Sequence, residues 1–258
     1  MSQLALHPAQ DAFVFLHGFN TGFNFATRSA ALFARAFRRD LCVCLTWPSD
    51  PAGEGVGWIV KQVMSAYERR YTYCEHNMHA SIFRFLEAAL DIRDAVTAGG
   101  KPIFWKAHSM GCYLLLNIVD RLRWKGEDLR HVFGRVILDA PDVPTWFFRS
   151  MVKVLADSGV QICHLFNPND NAIQASCQRR ALDRPVPGND AMTSHPNVES
   201  IMCDKSHSSS GMNHDYGRSD GRSLLDQREF LDGEVPENRV LEEVVSSDGV
   251  LGWRLKTW

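Results

Sequence analysis

The chain has no excess charge of either sign and no long apolar run. It carries 28 Lys and Arg residues against 30 Asp and Glu, a formal net charge of −2 at pH 7. This balance gives no electrostatic attraction to nucleic acid or to anionic lipid, so we expect no nucleic-acid partner. No stretch approaches the roughly 18 apolar residues of a membrane span, so we expect no stable membrane insertion. The first residues lack the basic and apolar regions of a secretory signal, which favours a cytoplasmic location.

The cysteines are odd in number and are not paired by spacing. There are seven, none of them in a C-x-x-C motif. Cys42, Cys44 and Cys163 lie in apolar runs, which is typical of buried free thiols and not of a disulfide framework. His76 and His79 lack the spacing of a helical zinc motif. The sequence therefore predicts no metal site.

Short apolar runs alternate with amphipathic segments along most of the chain. The runs predict buried strands at Phe13–His17, Leu41–Trp47, Pro102–Ala107, Arg135–Ala140 and Val160–Phe166, and a weaker one at Val198–Asp204. The intervening segments predict helices at Phe25–Arg39, His79–Ala98, Cys112–Arg123 and Val152–Ala156. Strand alternating with helix predicts an α/β fold, with a mostly parallel central sheet and helices on both faces.

No repeat and no linker divides the chain, so we expect a single domain over residues 1–258. Asp183–Pro196 and Lys205–Gly211 are predicted to be irregular loops, because Pro, Gly and Ser are frequent in them. For the polar tail after Gly221 we predict one helix near Leu224–Leu231 and little else.

Aromatic residues cluster in two segments, around residues 52–75 and 144–158. The clusters comprise Trp58, Tyr67, Tyr71 and Tyr73 in the first segment, and Trp146, Phe147, Phe148 and Met151 in the second. Both segments are candidate cap elements over an apolar pocket. Ordinary packing of helices against the sheet is the alternative, and both interpretations stay open at this point.

The sequence Ala-His-Ser-Met-Gly follows the third predicted strand and precedes an apolar helix. It is the G-x-S-x-G pattern with Ala in the first position, in the strand–turn–helix context of a nucleophile elbow. Ser109 would occupy a strained turn, which requires small neighbours such as Ala107 and Gly111. A serine N-cap is the alternative. The context favours Ser109 as a nucleophile, with the N–H of Met110 available to an oxyanion.

The first predicted strand ends in His17-Gly18-Phe19-Asn20. A His-Gly turn at this place is typical of the loop that supplies a second oxyanion donor, and we assign that donor to the N–H of Phe19. Gly18 would let the backbone approach a substrate closely. His17 precedes the nucleophile, which is the wrong chain order for the base, so we expect it to order the loop.

An acid is expected at the carboxyl end of a later strand, where the loops of an open α/β sheet gather. Asp170 follows the predicted strand Val160–Phe166 and is our candidate to orient the base. An N-cap or Asx turn is the alternative role for this aspartate. Asp142 follows the preceding strand and is the alternate acid, and Asp139 within the strand end is less favoured.

Three histidines follow Asp170 in the sequence and are candidates for the base. His214 comes one loop after the weak sixth strand, which matches the order Ser, Asp, His along the chain. His207 lies in a serine-rich stretch that suits a flexible gate better, and His195 precedes the strand. We predict His214 as the base and keep His207 as the alternate.

Taken together, these motifs resemble a family of bacterial α/β hydrolases described as uncharacterised esterases or lipases of unknown function. The matching segments are His17–Asn20, Thr46–Ser49, Ala107–Gly111, Ala140–Val143, Asn169–Ala172 with Ser176, and His214–Tyr216. The resemblance implies Ser109, Asp170 and His214 as a catalytic triad. It also implies a hydrolase without a cofactor, acting on a small ester-like molecule that the motifs do not define.

The expected activity is cleavage of a carboxylic ester or thioester through an acyl-enzyme on Ser109. Two other hypotheses stay open on the sequence. An acyltransferase would use the same triad with an acceptor other than water, and a non-catalytic module would keep the fold and use the cleft for binding. The sequence leaves the oligomeric state, the acyl chain length and the alcohol open.

Overall fold

A computed structural model describes residues 11–49, 64–97, 101–180, 186–190, 194–245 and 251–256. The strands in these residues are β1 Ala12–Leu16, β2 Leu41–Leu45, β3 Ile103–His108, β4 Arg135–Asp139, β5 Gln161–Phe166, β6 Val198–Met202, β7 Leu241–Val245 and β8 Leu251–Leu255. The helices are α1 Phe23–Ala36, α2 Met64–Thr97, α3 Met110–Trp124, α4 Leu129–Val132, α5 Thr145–Asp157, α6 Asn171–Arg180, α7 Tyr216–Ser219 and α8 Gly221–Asp232. Short 3-10 helices cover Lys205–His207 and Pro236–Asn238.

All strands join one sheet in the order β2-β1-β3-β4-β5-β6-β8-β7. Every neighbouring pair is parallel except the β7–β8 hairpin, which is antiparallel. The predicted α/β fold with a mostly parallel sheet is confirmed. Because the parallel strands share one direction, the loops after β1, β3, β4, β5 and β6 emerge at the same edge of the sheet.

The sheet is apolar on both faces, as a sheet between two layers of helices must be. In β1, Ala12, Val14 and Leu16 join the core beneath α2, α3 and α5. The alternate residues Phe13 and Phe15 join a second core beneath α1 and α8. This alternation explains why the strand sequences show no polar face. No helix within the described residues is both long enough and apolar enough to cross a bilayer.

Two sequence predictions are wrong in their extent. Helix α2 begins at Met64, well before the predicted His79, and includes the second half of the segment 52–75. Its buried residues Tyr71, Cys74 and Met78 follow helical spacing. That spacing was the available signal for the earlier start, and the cluster of aromatic residues obscured it. Trp58 and the side chain of Tyr67 lie outside the described residues.

The tail holds more than the one predicted helix. That helix is present as α8, and the hairpin of β7 and β8 then extends the sheet beyond β6. The sequence of β7, Leu-Glu-Glu-Val-Val, has no alternation of apolar and polar residues because it is an edge strand that is mostly exposed. Within the described residues β7 pairs with β8, the next strand along the chain, and β8 pairs with β6, which lies far back in the sequence, so a local pattern could not place this hairpin at the sheet edge.

The segment 144–158 forms helix α5, the crossover between β4 and β5. Phe148 and Met151 are buried in the core, as the packing interpretation expects. Trp146 is 73% exposed, and the ring of Phe147 lies edge-on to Tyr113 of α3 at 5.6 Å. Any role of these two rings as a cap stays a prediction.

Candidate active site

Ser109 occupies a sharp turn between β3 and α3. Its φ of 55° and ψ of −123° place a residue with a side chain in a backbone region that favours glycine. Its N–H donates to the carbonyl of Asp139 at 2.9 Å, and its own carbonyl accepts from Cys112 at 2.9 Å and from Asp142 at 3.3 Å. Ser109 stands at the N-cap position of α3, but its hydroxyl makes no capping hydrogen bond to the helix.

Two glycines allow the first loop to lie directly against this turn. A Cβ on Gly111 would stand 2.5 Å from the carbonyl oxygen of His17, and a Cβ on Gly18 would stand 2.8 Å from the Cβ of Ser109. Neither contact is tolerable, so glycine is required at both positions. Gly18 therefore lies against Ser109, and the backbone of Phe19 comes directly after it. Met110 is the first residue of α3, where an N–H has no acceptor within the helix.

His17 fixes this loop to the neighbouring strand ends. Its Nε2 accepts from the backbone N–H of Trp47 at 3.2 Å, so the proton lies on Nδ1, which donates to the carbonyl of Gly18 at 3.0 Å. The ring stacks on the Trp47 indole at 5.4 Å. Burial lowers the pKa of His17 to about 4. The imidazole is therefore neutral near pH 7 and serves the loop, as expected.

Asp170 and His214 meet at the carboxyl edge of the sheet. Nδ1 of His214 donates to Oδ2 of Asp170 at 2.6 Å. The other oxygen, Oδ1, accepts from the N–H of Ile173 at 3.0 Å and so caps α6. Capping a helix and orienting the histidine were alternative predictions for Asp170, but this fully buried carboxylate does both. Its two contacts leave it one fixed orientation toward the imidazole.

Further hydrogen bonds join the loop of His214 to the loop of Asp170. The carbonyl of Met212 accepts from Asn171 at 3.0 Å. The amide of Asn213 donates to Asn169 at 3.2 Å, and its carbonyl accepts from the amide of Asn167 at 3.3 Å. The two loops are thus bonded to each other on backbone and side chain, independently of the imidazole contact.

His108 links the base loop to the elbow. Its ring lies 4.7 Å from that of His214, and its Nε2 donates to the carbonyl of His214 at 3.1 Å. Burial and the nearby charge of His214 lower the pKa of His108 to about 4, so it stays neutral and can donate. This contact of His108 was not predicted from the sequence. The one feature that could have pointed to it is the position of a histidine directly before the candidate nucleophile.

The electrostatic environment of His214 favours its protonated form. Burial lowers the pKa of the imidazole, but the charge and hydrogen bond of Asp170 outweigh that effect, and Asp139 and Asp142 add to it. The net result is a pKa raised above the ordinary value of 6.5. Such an imidazole can accept a proton and hold it as an ion pair.

A comparison of the chain with family sequence models decides its membership. Residues 1–220 match the family described as "Alpha/beta hydrolase of unknown function (DUF900)". The chain belongs to this α/β-hydrolase family. The predicted resemblance is confirmed, and the description of the family assigns a hydrolase without a substrate. No curated protein sequence is significantly similar to this hydrolase.

Several solved structures are similar to this hydrolase at low sequence identity. An uncharacterised protein from Bacillus cereus ATCC 10987 is 12% identical with a TM-score of 0.41, over 79% of this hydrolase and 54% of that chain. A putative YdeN-like hydrolase from Pectobacterium atrosepticum SCRI1043 is 14% identical with a TM-score of 0.33, over 76% of this hydrolase and 77% of that chain. Carboxyl esterase 2 from Tuber melanosporum is 11% identical with a TM-score of 0.32, over 88% of this hydrolase and 65% of that chain. This hydrolase thus spans about half of the B. cereus protein, and none of these likenesses indicates its substrate.

Asp142, the alternate acid, lies in a different contact network of the hydrolase. Its carboxylate accepts from Ser176 Oγ at 2.7 Å and from the hydroxyl of Tyr71, which also accepts from Ser176 at 3.1 Å. The ring of Tyr71 contacts the ring of Phe19 at 5.2 Å between centroids. Asp142 therefore joins α2 and α6 next to Phe19, and Asp170 is the aspartate that contacts His214.

The other two histidines lie apart from this pair. His207 is buried, with Nδ1 accepting from the backbone N–H of Asp204 at 3.0 Å and Nε2 3.6 Å from Asp220. His195 bridges to Val198 at the start of β6, the amino end of the sheet. The carboxyl edge holds Ser109 and His214, so His195 is on the opposite side.

The hydrolase forms no hydrogen bond between Ser109 Oγ and the imidazole of His214, although both side chains are in the described part of the chain. Such bonds are often long in an empty site and tighten when substrate binds. That His214 reaches Ser109 stays a prediction. Among the described residues, no group of His, Cys, Asp or Glu could hold a metal ion.

Proposed function

We propose that this α/β hydrolase cleaves a carboxylic ester or thioester through an acyl-enzyme on Ser109. The observation that carries the proposal is the 2.6 Å contact of His214 with Asp170, in a loop that His108 bonds to the elbow of Ser109. A carboxylate that orients an imidazole, in a loop bonded to the elbow of a serine, supports an activated nucleophile, and the proposal adds that this imidazole reaches Ser109 Oγ.

The reaction begins when His214 Nε2 takes the proton of the Ser109 hydroxyl as Oγ attacks the substrate carbonyl. Asp170 holds the proton on Nδ1, so that Nε2 is free to accept, and stabilises the imidazolium that forms. The raised pKa of His214 supports this step, because the base keeps the proton until the leaving group needs it.

The carbonyl oxygen becomes an oxyanion, which the N–H groups of Phe19 and Met110 stabilise. The imidazolium then gives its proton to the leaving alkoxide or thiolate, and the acyl group stays on Ser109. A water molecule attacks the acyl-enzyme with His214 as the base again, releasing the acid. Each donor of this kind contributes about 10²–10³ in rate in serine hydrolases.

A panel of p-nitrophenyl esters from acetate to palmitate, with a thioester of matched acyl length, tests the proposal. We expect turnover of at least one ester by the wild-type protein and none above background by Ser109→Ala. A folded wild-type protein that turns over none of these substrates would contradict it.

A further inference from the structure

Asp215, the residue after the proposed base, lies inside the turn that its own loop forms. Oδ1 accepts from the backbone N–H groups of Ser209 and Ser210, both at 3.1 Å, and from Ser208 Oγ. Oδ2 accepts from Ser209 Oγ at 2.7 Å and from Ser219 Oγ in α7. One carboxylate thus closes residues 208–215 into a turn and ties them to the following helix.

This turn is bonded to the backbone of His214 from both directions. The N–H of His214 donates to Ser210 Oγ at 3.3 Å, and the N–H of Asn213 donates to the carbonyl of Ser210 at 3.1 Å. Asn213 takes a φ of 53°, a left-handed conformation that asparagine adopts more readily than most residues with a side chain. The position of Ser210, which Asp215 holds, therefore helps to set the direction in which His214 leaves the backbone.

Beyond α7's first residue the chain is fixed again. The carbonyl of Gly217 accepts from the amide of Gln227 at 2.9 Å, and a Cβ there would stand 2.1 Å from Asp139 Oδ2. The chain after the base is thus pressed against the sheet. Before the base, Met212 and Asn213 are bonded to the loop of Asp170, and the Asp215 carboxylate holds the preceding serines of the turn.

We infer that Asp215 is a positioning residue for the base. Its carboxylate holds residues 208–215 in the turn that aims the imidazole of His214 at Asp170. The inference rests on the proposed function only for its effect on turnover, since the placement of the imidazole exists without substrate. Burial raises the pKa of Asp215, but the hydrogen bonds from the serines outweigh this and hold it well below its usual range, so the acceptor is ionised at any working pH.

The substitution Asp215→Asn tests the inference because it keeps size and removes the charge. The new NH2 group would face N–H and O–H donors where an acceptor is needed, so the turn should open. We expect kcat for the best ester to fall about ten- to a hundredfold, as for a misplaced catalytic group, with KM within about twofold of the wild-type value.

A spectroscopic readout separates positioning from general stability. The Nδ1 proton of His214, held between imidazole and carboxylate, should give a far-downfield proton resonance that His214→Ala removes. Asp215→Asn should broaden or abolish it at a temperature where circular dichroism shows the variant folded. Asp204→Asn is the matched control, because Asp204 also accepts from a serine, Ser206, but lies outside the turn. It should keep the resonance and the wild-type kcat.

Unchanged kcat and an unchanged resonance in Asp215→Asn would overturn the inference. If that variant does not fold, the double variant Ser208→Ala with Ser209→Ala decides the question, since it keeps the charge and removes two hydroxyl donors. We expect a partial, several-fold loss of kcat and a weakened resonance, and wild-type values for both would overturn it. If the wild-type protein cleaves no ester, the proposed function fails, and the resonance alone still tests the role of Asp215.

Discussion

The elbow of Ser109 and the loop of His214 reach the same edge of the sheet by different means. At the elbow a few consecutive residues are sufficient: a buried strand, a serine in a strained turn, and Gly111 against the carbonyl of His17. The base loop has no regular strand or helix of its own between residues 208 and 215, and hydrogen bonds from Asp215 and the acid loop hold it. Local sequence therefore encodes the turn of the candidate nucleophile, and dispersed polar contacts hold the proposed base.

This difference predicts where the molecule is sensitive. The elbow should tolerate loss of the serine hydroxyl without change of structure, because its backbone is fixed by glycines and the sheet. The base loop should lose its function through polar substitutions that do not touch the imidazole.

The largest effect is expected from removing the reacting groups themselves. Ser109→Ala and His214→Ala should each lower kcat by several orders of magnitude and to a similar residual rate, because members of a triad act as one unit. His207→Ala is the control: it should keep kcat within a few-fold, although the loss of a buried hydrogen-bonded ring lowers the melting temperature. Steady-state kinetics and thermal melts of the three variants check this. If His207→Ala lowered kcat as much as His214→Ala, the assignment of His214 as the base would be wrong.

The two aspartates should differ strongly. Asp170→Asn should lower kcat by about 10³–10⁴, since it allows the wrong tautomer of the base. Asp142→Asn should lower kcat by about tenfold or less, because this carboxylate contacts Tyr71 and Ser176 and does not contact the imidazole. Kinetics of both variants on one ester provide the test. Equal losses would mean that the network beneath Phe19 matters as much as the acid.

The titration of His214 should depend on Asp170. In the wild-type protein, the pKa of His214 should lie above 6.5, because the charge and hydrogen bond of Asp170 exceed the effect of burial. In Asp170→Asn, burial remains and the pKa should fall below 6.5. The stabilising ion pair is complete below pH 6.5 and is lost as the pH rises through the folded pKa. The imidazole C–H resonances of His214, assigned by their absence in His214→Ala, measure the pKa in both proteins when followed against pH. An equal pKa in the wild-type protein and Asp170→Asn would contradict the pairing of His214 with Asp170.

The smallest effect concerns strain at the elbow. Ser109→Gly should raise the melting temperature by about 2–4 °C, because glycine accepts this φ and ψ without strain. Glycine also raises the conformational entropy of the unfolded chain, and we expect the relief of strain to exceed that cost by about 1 kcal/mol. Ser109→Ala retains Cβ and should melt close to the wild-type protein. Calorimetry of the two inactive variants measures both melting temperatures, and their difference reports the backbone strain at residue 109. A lower melting temperature for the glycine variant would show that the turn is not strained.

The sequence predicted the sheet and the elbow correctly, because both depend on residues that are neighbours in the chain. The buried strands were apparent from their apolar runs, and Ser109 from the small residues beside it. The β7–β8 hairpin was not predicted, because its attachment to β6 is remote in the chain and β7 is mostly exposed. His214 could be chosen only by chain order, the weak strand before it and the resemblance, since Asp170 lies 44 residues away. The roles of His108 and Asp215 needed coordinates, because a histidine at a strand end or an aspartate in a loop has no local pattern that distinguishes positioning from solvation.

The central claim is that Ser109 is a nucleophile activated by His214, and covalent labelling tests it most directly. The wild-type protein, treated with a fluorophosphonate and examined by intact mass and peptide mapping, should carry one adduct, located on Ser109. His214→Ala should label far more slowly, and Ser109→Ala should not label. An adduct on another residue, or no adduct on the folded wild-type protein, would contradict the account.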